Sequence, residues 1–190
     1  YFSLINDTAI YFITWNNSIA NSRVILENDT NYLSYTPKQF FTKQYIEDYH
    51  SSYFTGKTLV IGGASENLFG YDPTEGWFDN VFSLGQTRTK TIATPNIYDN
   101  GLTVSLTAVV LGASNYAPVI KDHHLQVQLG SQVLDTIYEG YEKIDVSLSI
   151  PTSEINLSNN VSFKSINDLG STVDRQTIAF VKLDYPHSVD

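Results

Sequence analysis

Residues 102–111 read LTVSLTAVVL, a run in which apolar and hydroxyl-bearing side chains alternate for most of its length. Successive side chains of a β-strand point to opposite faces, so one face of this run carries Leu102, Val104, Leu106 and Ala108. The Thr and Ser side chains between them face the other way. One apolar face and one polar face are typical of an antiparallel strand on a hydrophobic core, so the run predicts a sheet protein.

Further strands follow from the same alternation. Residues 124–129 and 132–138 flank a Gly130-Ser131 step, which predicts a tight hairpin. Three more runs are predicted as strands, of which the last two are expected to end at Pro151 and Pro186 because proline has no N–H to donate to a sheet: 9–15, 144–150 and 178–185.

The segment from Pro37 to Phe54 has two interpretations. Residues 45–53 alternate as in a long strand, with one face carrying Tyr45, Glu47, Tyr49, Ser51 and Tyr53. Phe41, Tyr45 and Tyr49 would also share one helical face. We favour a strand because aromatic side chains fit a pleated surface better.

Together these patterns predict an all-β protein, an antiparallel β-sandwich of jelly-roll-like type, with residues 1–190 as a single domain. Turn-forming clusters of Asn, Gly, Pro, Asp and Ser punctuate the strands, as in a sandwich or jelly roll. The chain starts at Tyr1 and contains no Met, so we expect a fragment of a larger multidomain protein.

Composition narrows the classes of function. The net charge of -9 argues against a nucleic-acid partner, and the absence of Cys excludes disulfides and a thiolate nucleophile. No run approaches the roughly 20 apolar residues of a membrane-spanning segment.

The four histidines lie in no motif that specifies chemistry. His123 and His124 would point to opposite faces of a strand and so could not ligate one metal together. We therefore expect a solvated start of a strand here, with Asp122 as an ordinary loop residue. No Gly-x-Ser-x-Gly turn frames a nucleophile, so an unrecognised hydrolase is a minor alternative and no catalytic residue is assigned.

The most distinctive stretch is residues 65–78, which combines acidic side chains, glycine turns and aromatic rings. A ligand-binding interpretation assigns Tyr71, Asp72, Glu75 and Trp77 to a site, with Tyr71 and Trp77 as a platform on which a sugar stacks. A calcium loop is a second interpretation, but the regular Asp-x-Asp-x-Asp-Gly spacing is absent, so no metal or cofactor is predicted.

The structural interpretation of the same stretch is a loop that anchors the core, in which Trp77 and Phe78 plug one end of the sandwich. We favour this interpretation. The alternative function, a carbohydrate-binding jelly-roll module, instead predicts coplanar, exposed rings at Trp77, Tyr71 and Trp15 with polar neighbours.

Three segments resemble the β-rich region that precedes the peptidase domain in gingipain-like C25 family proteins of Bacteroidetes, particularly the PorU-like sortases of type IX secretion. Residues 6–15 (NDTAIYFITW) resemble the opening strand of that group, and residues 75–78 (EGWF) resemble its Gly-Glu-Gly-Trp-Phe turn. Asp174 and residues 178–186 resemble its closing strand. Thr74 stands where the group has Gly, and His187 stands where Arg is common.

The resemblance implies a non-catalytic accessory or interaction module, because the family's catalytic residues lie in the domain that follows. It implies two partners, the following peptidase domain of the same polypeptide and secreted cargo proteins. It also implies a location outside the cell or on the outer-membrane surface of a Gram-negative bacterium. The full-length protein would be a C25-like cysteine peptidase, or a degenerate and inactive relative of one.

Overall fold

The computed structural model describes residues 36–67 and 72–189, and almost all of their regular structure is β-strand. The helical content of these residues is one 3-10 turn, Thr152–Glu154. The strands are β1 (Phe40–Asp48), β2 (Ser52–Thr55), β3 (Thr58–Ile61), β4 (Ala64–Asn67), β5 (Glu75–Phe78), β6 (Phe82–Ser83), β7 (Thr87–Ala93), β8 (Thr103–Gly112), β9 (His123–Leu129), β10 (Gln132–Tyr138), β11 (Lys143–Pro151), β12 (Ser158–Ser165) and β13 (Arg175–Ser188).

Two antiparallel sheets form the sandwich. The first has the order β1-β13-β8-β11, with β6 paired to β13, and the second has the order β10-β9-β12-β7. Two short ribbons, β2–β5 and β3–β4, stand outside these sheets. The predicted fold class, an all-β antiparallel sandwich, is confirmed, whereas the strand predicted at residues 9–15 lies outside the described residues.

The core lies between the two sheets and is built from the alternating positions. Val104, Leu106 and Ala108 of β8 are wholly buried, and they belong to one cluster with Val127 of β9 and Phe163 of β12. Burying each such side chain stabilises the fold by about 1.5–3 kcal/mol, Ala108 excepted because it is smaller. The alternation of residues 102–111 therefore specifies the position of β8 in the sandwich.

The predicted hairpin is confirmed, with Leu129 paired to Gln132 across the turn. Gly130 has a φ of 59°, in the region that glycine enters without steric cost. The segment from Pro37 to Phe54 is strand, as favoured, but it is divided into β1 and β2, because Tyr49 leaves the first ladder and its N–H donates to the carbonyl of Ala179.

Pro151 ends β11 as predicted, but the expectation that Pro186 ends the closing strand is wrong. β13 continues to Ser188, with Pro186 opposite Thr42 of β1. Its pairing with β8 ends at Asp184, so beyond that point β13 needs few donors on that side. The carbonyl of Pro186 accepts from the N–H of Tyr98, and its nitrogen faces the same side, so no ladder bond is lost.

Candidate ligand-binding site

The ribbon β2–β5 has one face on the sandwich and one face in solvent. In its register Tyr53 lies opposite Trp77 and Phe54 lies opposite Gly76. Phe78 is buried and Phe54 is partly buried, and both pack on the outer face of the first sheet. Because side chains alternate along a strand, this packing turns Tyr53, Trp77 and Glu75 outward.

The outward face carries an exposed aromatic pair. Tyr53 is 48% exposed and Trp77 is 57% exposed. Their ring centroids lie 5.4 Å apart with an interplanar angle of 67°, an edge-to-face contact. Such pairs prefer this geometry, so the ring orientations are mutually fixed.

Glu75 lies at the edge of this pair. The hydroxyl of Tyr53 donates to Glu75 Oε1 at 2.5 Å. This hydrogen bond to the carboxylate, together with slight desolvation, raises the pKa of Tyr53 above its usual value. A carboxylate has about four acceptor sites, of which Tyr53 uses one, so Glu75 can accept further hydrogen bonds from a ligand.

Asp72 organises the loop that leads into the ribbon. Its Oδ2 accepts from the N–H of Lys57 at 2.6 Å, and its Oδ1 accepts from both the N–H and the hydroxyl of Thr74. Partial burial alone would raise the pKa of Asp72, but these hydrogen bonds hold it below its usual value. The carboxylate is thus committed to the loop, where it fixes the start of β5.

The residues of the ligand-binding interpretation differ in their position and role. Tyr71 lies outside the described residues, as does Trp15, and Asp72 supports the loop. The expectation that Trp77 plugs the sandwich is wrong, whereas Phe78 is buried as expected. Trp77 is exposed, as stacking on a sugar requires. Its neighbouring ring is Tyr53 and the two rings are not coplanar, so this pair is not a coplanar platform and only one of its rings can lie flat on a sugar.

Sequence reasoning missed Tyr53 as a partner of Trp77. The alternation around Tyr53 predicts a strand, but the pairing of β2 with β5 joins residues separated by 24 positions, counted from Tyr53↔Trp77. No local pattern encodes such a pairing. The sequence indicates only that Tyr53 and Trp77 are aromatic residues in two short segments, and this does not show that the segments pair.

His123 and His124 face opposite sides of β9 as predicted, but the expected solvated environment is wrong because both are buried. His123 Nδ1 lies 2.5 Å from Asp174 Oδ1, and its Nε2 lies 3.0 Å from the carbonyl of Ser114. Asp122 is also buried and accepts from the N–H groups of Tyr116 and Gly140, so it is not an ordinary loop residue.

The cluster around His123 does not have the geometry of a hydrolase triad. The hydroxyl of Ser165 donates to Asp174 Oδ2 at 2.6 Å, so the carboxylate lies between the hydroxyl and the imidazole. A triad instead requires the imidazole to contact the hydroxyl and the carboxylate to orient the imidazole from behind. All three side chains are wholly buried, which is consistent with a structural role.

His124 and His187 also have structural contacts. His124 lies between Asp168 and Asp135, at 2.8 and 2.7 Å, and the ring of His187 packs at a tilt against Phe41 at the start of β1. Among residues 36–67 and 72–189, no group of three or more His, Asp or Glu side chains could hold a metal ion. No helix in this part of the chain is long and apolar enough to cross a membrane.

The fold and this face define an antiparallel β-sandwich module that carries an exposed aromatic ribbon. No protein-family model matches the sequence, and no curated protein is similar to it. Among solved structures the chain is similar to dimeric latent PorU from Porphyromonas gingivalis, with a TM-score of 0.56 and 9% sequence identity. The match covers 80% of this chain and 13% of the PorU chain.

Two further structures are similar at lower TM-scores. The CBM36-1 domain of a multidomain xylanase from the hindgut metagenome of Trinervitermes trinervoides has a TM-score of 0.39 and 11% identity, over 74% of this chain and 96% of that chain. A ruminal GH26 endo-beta-1,4-mannanase has a TM-score of 0.37 and 12% identity, over 82% of this chain and 27% of that chain. These values are too low for an argument about function. The match to PorU shows similarity of fold alone.

Proposed function

We propose that this chain is a non-catalytic accessory module of an exported cell-surface protein, in which it precedes and docks onto a C25-like cysteine peptidase domain. Two findings support the proposal. The chain is similar in fold to a region that makes up only 13% of the PorU chain. In addition, the ribbon β3–β4 of this chain has exposed apolar side chains that another domain could cover.

The observation that carries the docking role is the ribbon β3–β4. It is a separate two-stranded sheet, and its strands pair Leu59 with Glu66 and Ile61 with Ala64. Leu59 is 41% exposed and Ile61 is 63% exposed, and all of β4 is exposed. An isolated two-stranded ribbon is marginally stable in water, so a ribbon with exposed apolar side chains is stabilised when it packs against a partner.

The ribbon is held at its base by one contact to the sandwich and one to the ribbon β2–β5. The hydroxyl of Thr58 hydrogen-bonds with that of Tyr141, in the turn before β11, at 3.2 Å. The hydroxyl of Thr55, at the end of β2, donates to Asn67 Oδ1 at 3.3 Å. These contacts orient the ribbon, while Leu59 and Ile61 remain free for the following domain. We propose that domain as the occupant because the resembling family places its peptidase domain directly after this region.

Of the three segments that resemble the family, residues 6–15 lie outside the described residues, and the other two have clear positions in the sheets. Residues 75–78 form β5, and residues 178–186 belong to β13 at the centre of the first sheet. Thr74, which replaces the family's glycine, is buried and donates its hydroxyl to Asp72, a bond that glycine could not make. Both departures, at Thr74 and His187, are therefore accommodated by contacts of this chain.

The test compares the full polypeptide with this 190-residue chain in a peptidase assay sensitive to iodoacetamide. We expect thiol-dependent activity in the full polypeptide and none in the chain. In the full polypeptide, the double substitution Leu59→Ser with Ile61→Ser should lower the thermal stability of the peptidase domain. The matched control is Val133→Ser with Ile137→Ser, on the outer face of β10. Activity of the chain itself, or equal effects of both double substitutions, would overturn the proposal.

A further inference from the structure

We propose that Trp77, Tyr53 and Glu75 form a binding site for a neutral oligosaccharide whose pyranose rings carry equatorial hydroxyl groups. This site is independent of the proposed docking role, because a different ribbon, β3–β4, carries that role. The argument rests on exposure, ring geometry and the position of one carboxylate.

Trp77 is exposed although its side chain is large and mostly apolar. Its neighbour Phe78 is buried in the contact with the first sheet, whereas the larger indole of Trp77 is 57% exposed. Tyr53, directly opposite in the ladder, is similarly exposed. Large exposed aromatic groups that meet on one face mark ligand or partner sites, because leaving them in water forgoes their burial energy.

The electrostatics of the rings favour a sugar. The face of an aromatic ring carries a partial negative charge, and it attracts C–H groups that carry a partial positive charge. A pyranose with equatorial hydroxyls presents axial C–H groups on its flat faces and hydroxyls around its rim. Such a sugar can stack on Trp77 while a rim hydroxyl donates to Glu75.

Glu75 is held ready for this role. The Tyr53 hydroxyl fixes Oε1 at 2.5 Å, and the N–H of Glu75 donates to the carbonyl of Asp72. Hydrogen bonds to an ionised acceptor are about twice as strong as those between neutral groups. A fixed carboxylate beside an exposed ring therefore determines the orientation of the bound sugar, while the ring provides the contact area.

Two other ligand classes fit less well. A cage for an organic cation needs ring faces on several sides, but an interplanar angle of 67° directs the edge of one ring at the face of the other. An acidic sugar would be repelled by Glu75 and by the net charge of -9. The neutral oligosaccharide is the class that uses both the ring and the carboxylate.

The test is a fluorescence titration in a Trp15→Phe background, which leaves Trp77 as the single indole because the chain has two tryptophans. The probes are cellotetraose and chitotetraose, with trigalacturonate as the acidic control and tetramethylammonium as the cation control. We expect at least one neutral probe to bind saturably with a Kd of about 1 mM or tighter, and neither control to bind.

Substitutions locate the site by calorimetry with the probe that binds. Trp77→Ala and Tyr53→Ala should each weaken binding about tenfold or more, and Trp77→Phe should restore part of it. Glu75→Gln, which keeps an acceptor but loses the charge, should weaken binding about threefold. The matched control is Phe41→Ala, which removes an exposed aromatic side chain from β1.

Each outcome decides the proposal. Loss with the ribbon variants and retention with Phe41→Ala supports it. Binding of neither neutral probe, equal binding of trigalacturonate, preference for tetramethylammonium, or full binding by Trp77→Ala overturns it.

Discussion

His123 Nδ1 and Asp174 Oδ1 lie 2.5 Å apart in the interior of the protein, where both side chains are wholly buried. His123 begins β9 in the second sheet, and Asp174 immediately precedes β13 in the first sheet. The pair therefore joins the two layers of the sandwich at one end. Asp174 also accepts hydrogen bonds from Ser165 and Gln176, so protein groups take the place of water around its carboxylate.

Removing this carboxylate should be costly. Asp174→Ala leaves His123, Ser165 and Gln176 without their partner, and loss of one member of a buried pair costs about 3–5 kcal/mol. Urea unfolding of the variant measures the loss. The matched control is Asp145→Ala, which breaks only the surface ion pair with Lys143 and should cost less than about 1 kcal/mol. Similar losses in the two variants would contradict the structural role of the pair.

Stability should also fall as the pH rises above the usual pKa of histidine. Burial alone would lower the pKa of His123, but the hydrogen bond and charge of Asp174, the Ser114 carbonyl and the charge of Asp122 raise it above 6.5. The stability contributed by a raised pKa is fully present below pH 6.5 and is lost as pH rises through the folded-state pKa.

The measurement is the free energy of unfolding in urea between pH 6 and pH 9. We expect it to fall with rising pH in the original chain and to fall less in His123→Gln. His124 has a raised pKa for similar reasons, since Asp168 and Asp135 outweigh its desolvation, so His124→Gln should remove a separate part of the slope. An unchanged slope in both variants would rule out the charged histidines as its source.

Gly112 should tolerate no side chain. A Cβ placed there would lie 1.8 Å from the carbonyl oxygen of Gly140 and 2.9 Å from His123 Nε2. Because the first contact is with backbone, we expect Gly112→Ala to cost at least about 3 kcal/mol, at the upper end of overpacking losses. Gly101→Ala is the control: it meets open space but has a φ of 70°, so it should cost about 1–2 kcal/mol. Thermal unfolding distinguishes the two.

Adjacent aromatic residues in β5 should differ in their effect on stability. Phe78 is buried against the first sheet, so Phe78→Ala should cost about 3–5 kcal/mol. Trp77 is exposed and loses mainly its contact with Tyr53, so Trp77→Ala should cost no more than about 1.5 kcal/mol. Chemical denaturation of the two variants provides the comparison, and a larger loss for Trp77→Ala would restore the core-plug interpretation.

The sequence predicts the strands whose alternating side chains bury one face in the core. The alternation of residues 102–111 and the Gly130-Ser131 step predicted β8 and the β9–β10 hairpin, because burial of one strand face imposes a period of two. The fold class followed from several such runs. The resemblance to the PorU-like group also indicated the fold of the module, which the fold similarity to PorU supports.

Other features depend on contacts between distant residues and had no local signal. The ribbons β2–β5 and β3–β4 consist of four-residue strands, which are too short for a clear period. The burial of His123 depends on Asp174, which is 51 residues away, and that of Asp122 depends on the N–H groups of Tyr116 and Gly140. Pro186 remains within β13 because, on the side away from β1, its carbonyl pairs with the N–H of Tyr98 and no N–H is required of it. That pairing forms only in the assembled sheet.

The most direct test of the proposed accessory role is amide hydrogen exchange of residues 58–67, measured in the full polypeptide and in this chain alone. A ribbon covered by the peptidase domain should exchange at least about tenfold more slowly in the full polypeptide, because docking suppresses local opening. Residues 132–138 of the β10 edge strand serve as the internal reference and should exchange equally in both. Equal exchange of residues 58–67 in the two proteins would contradict the docking role of the ribbon.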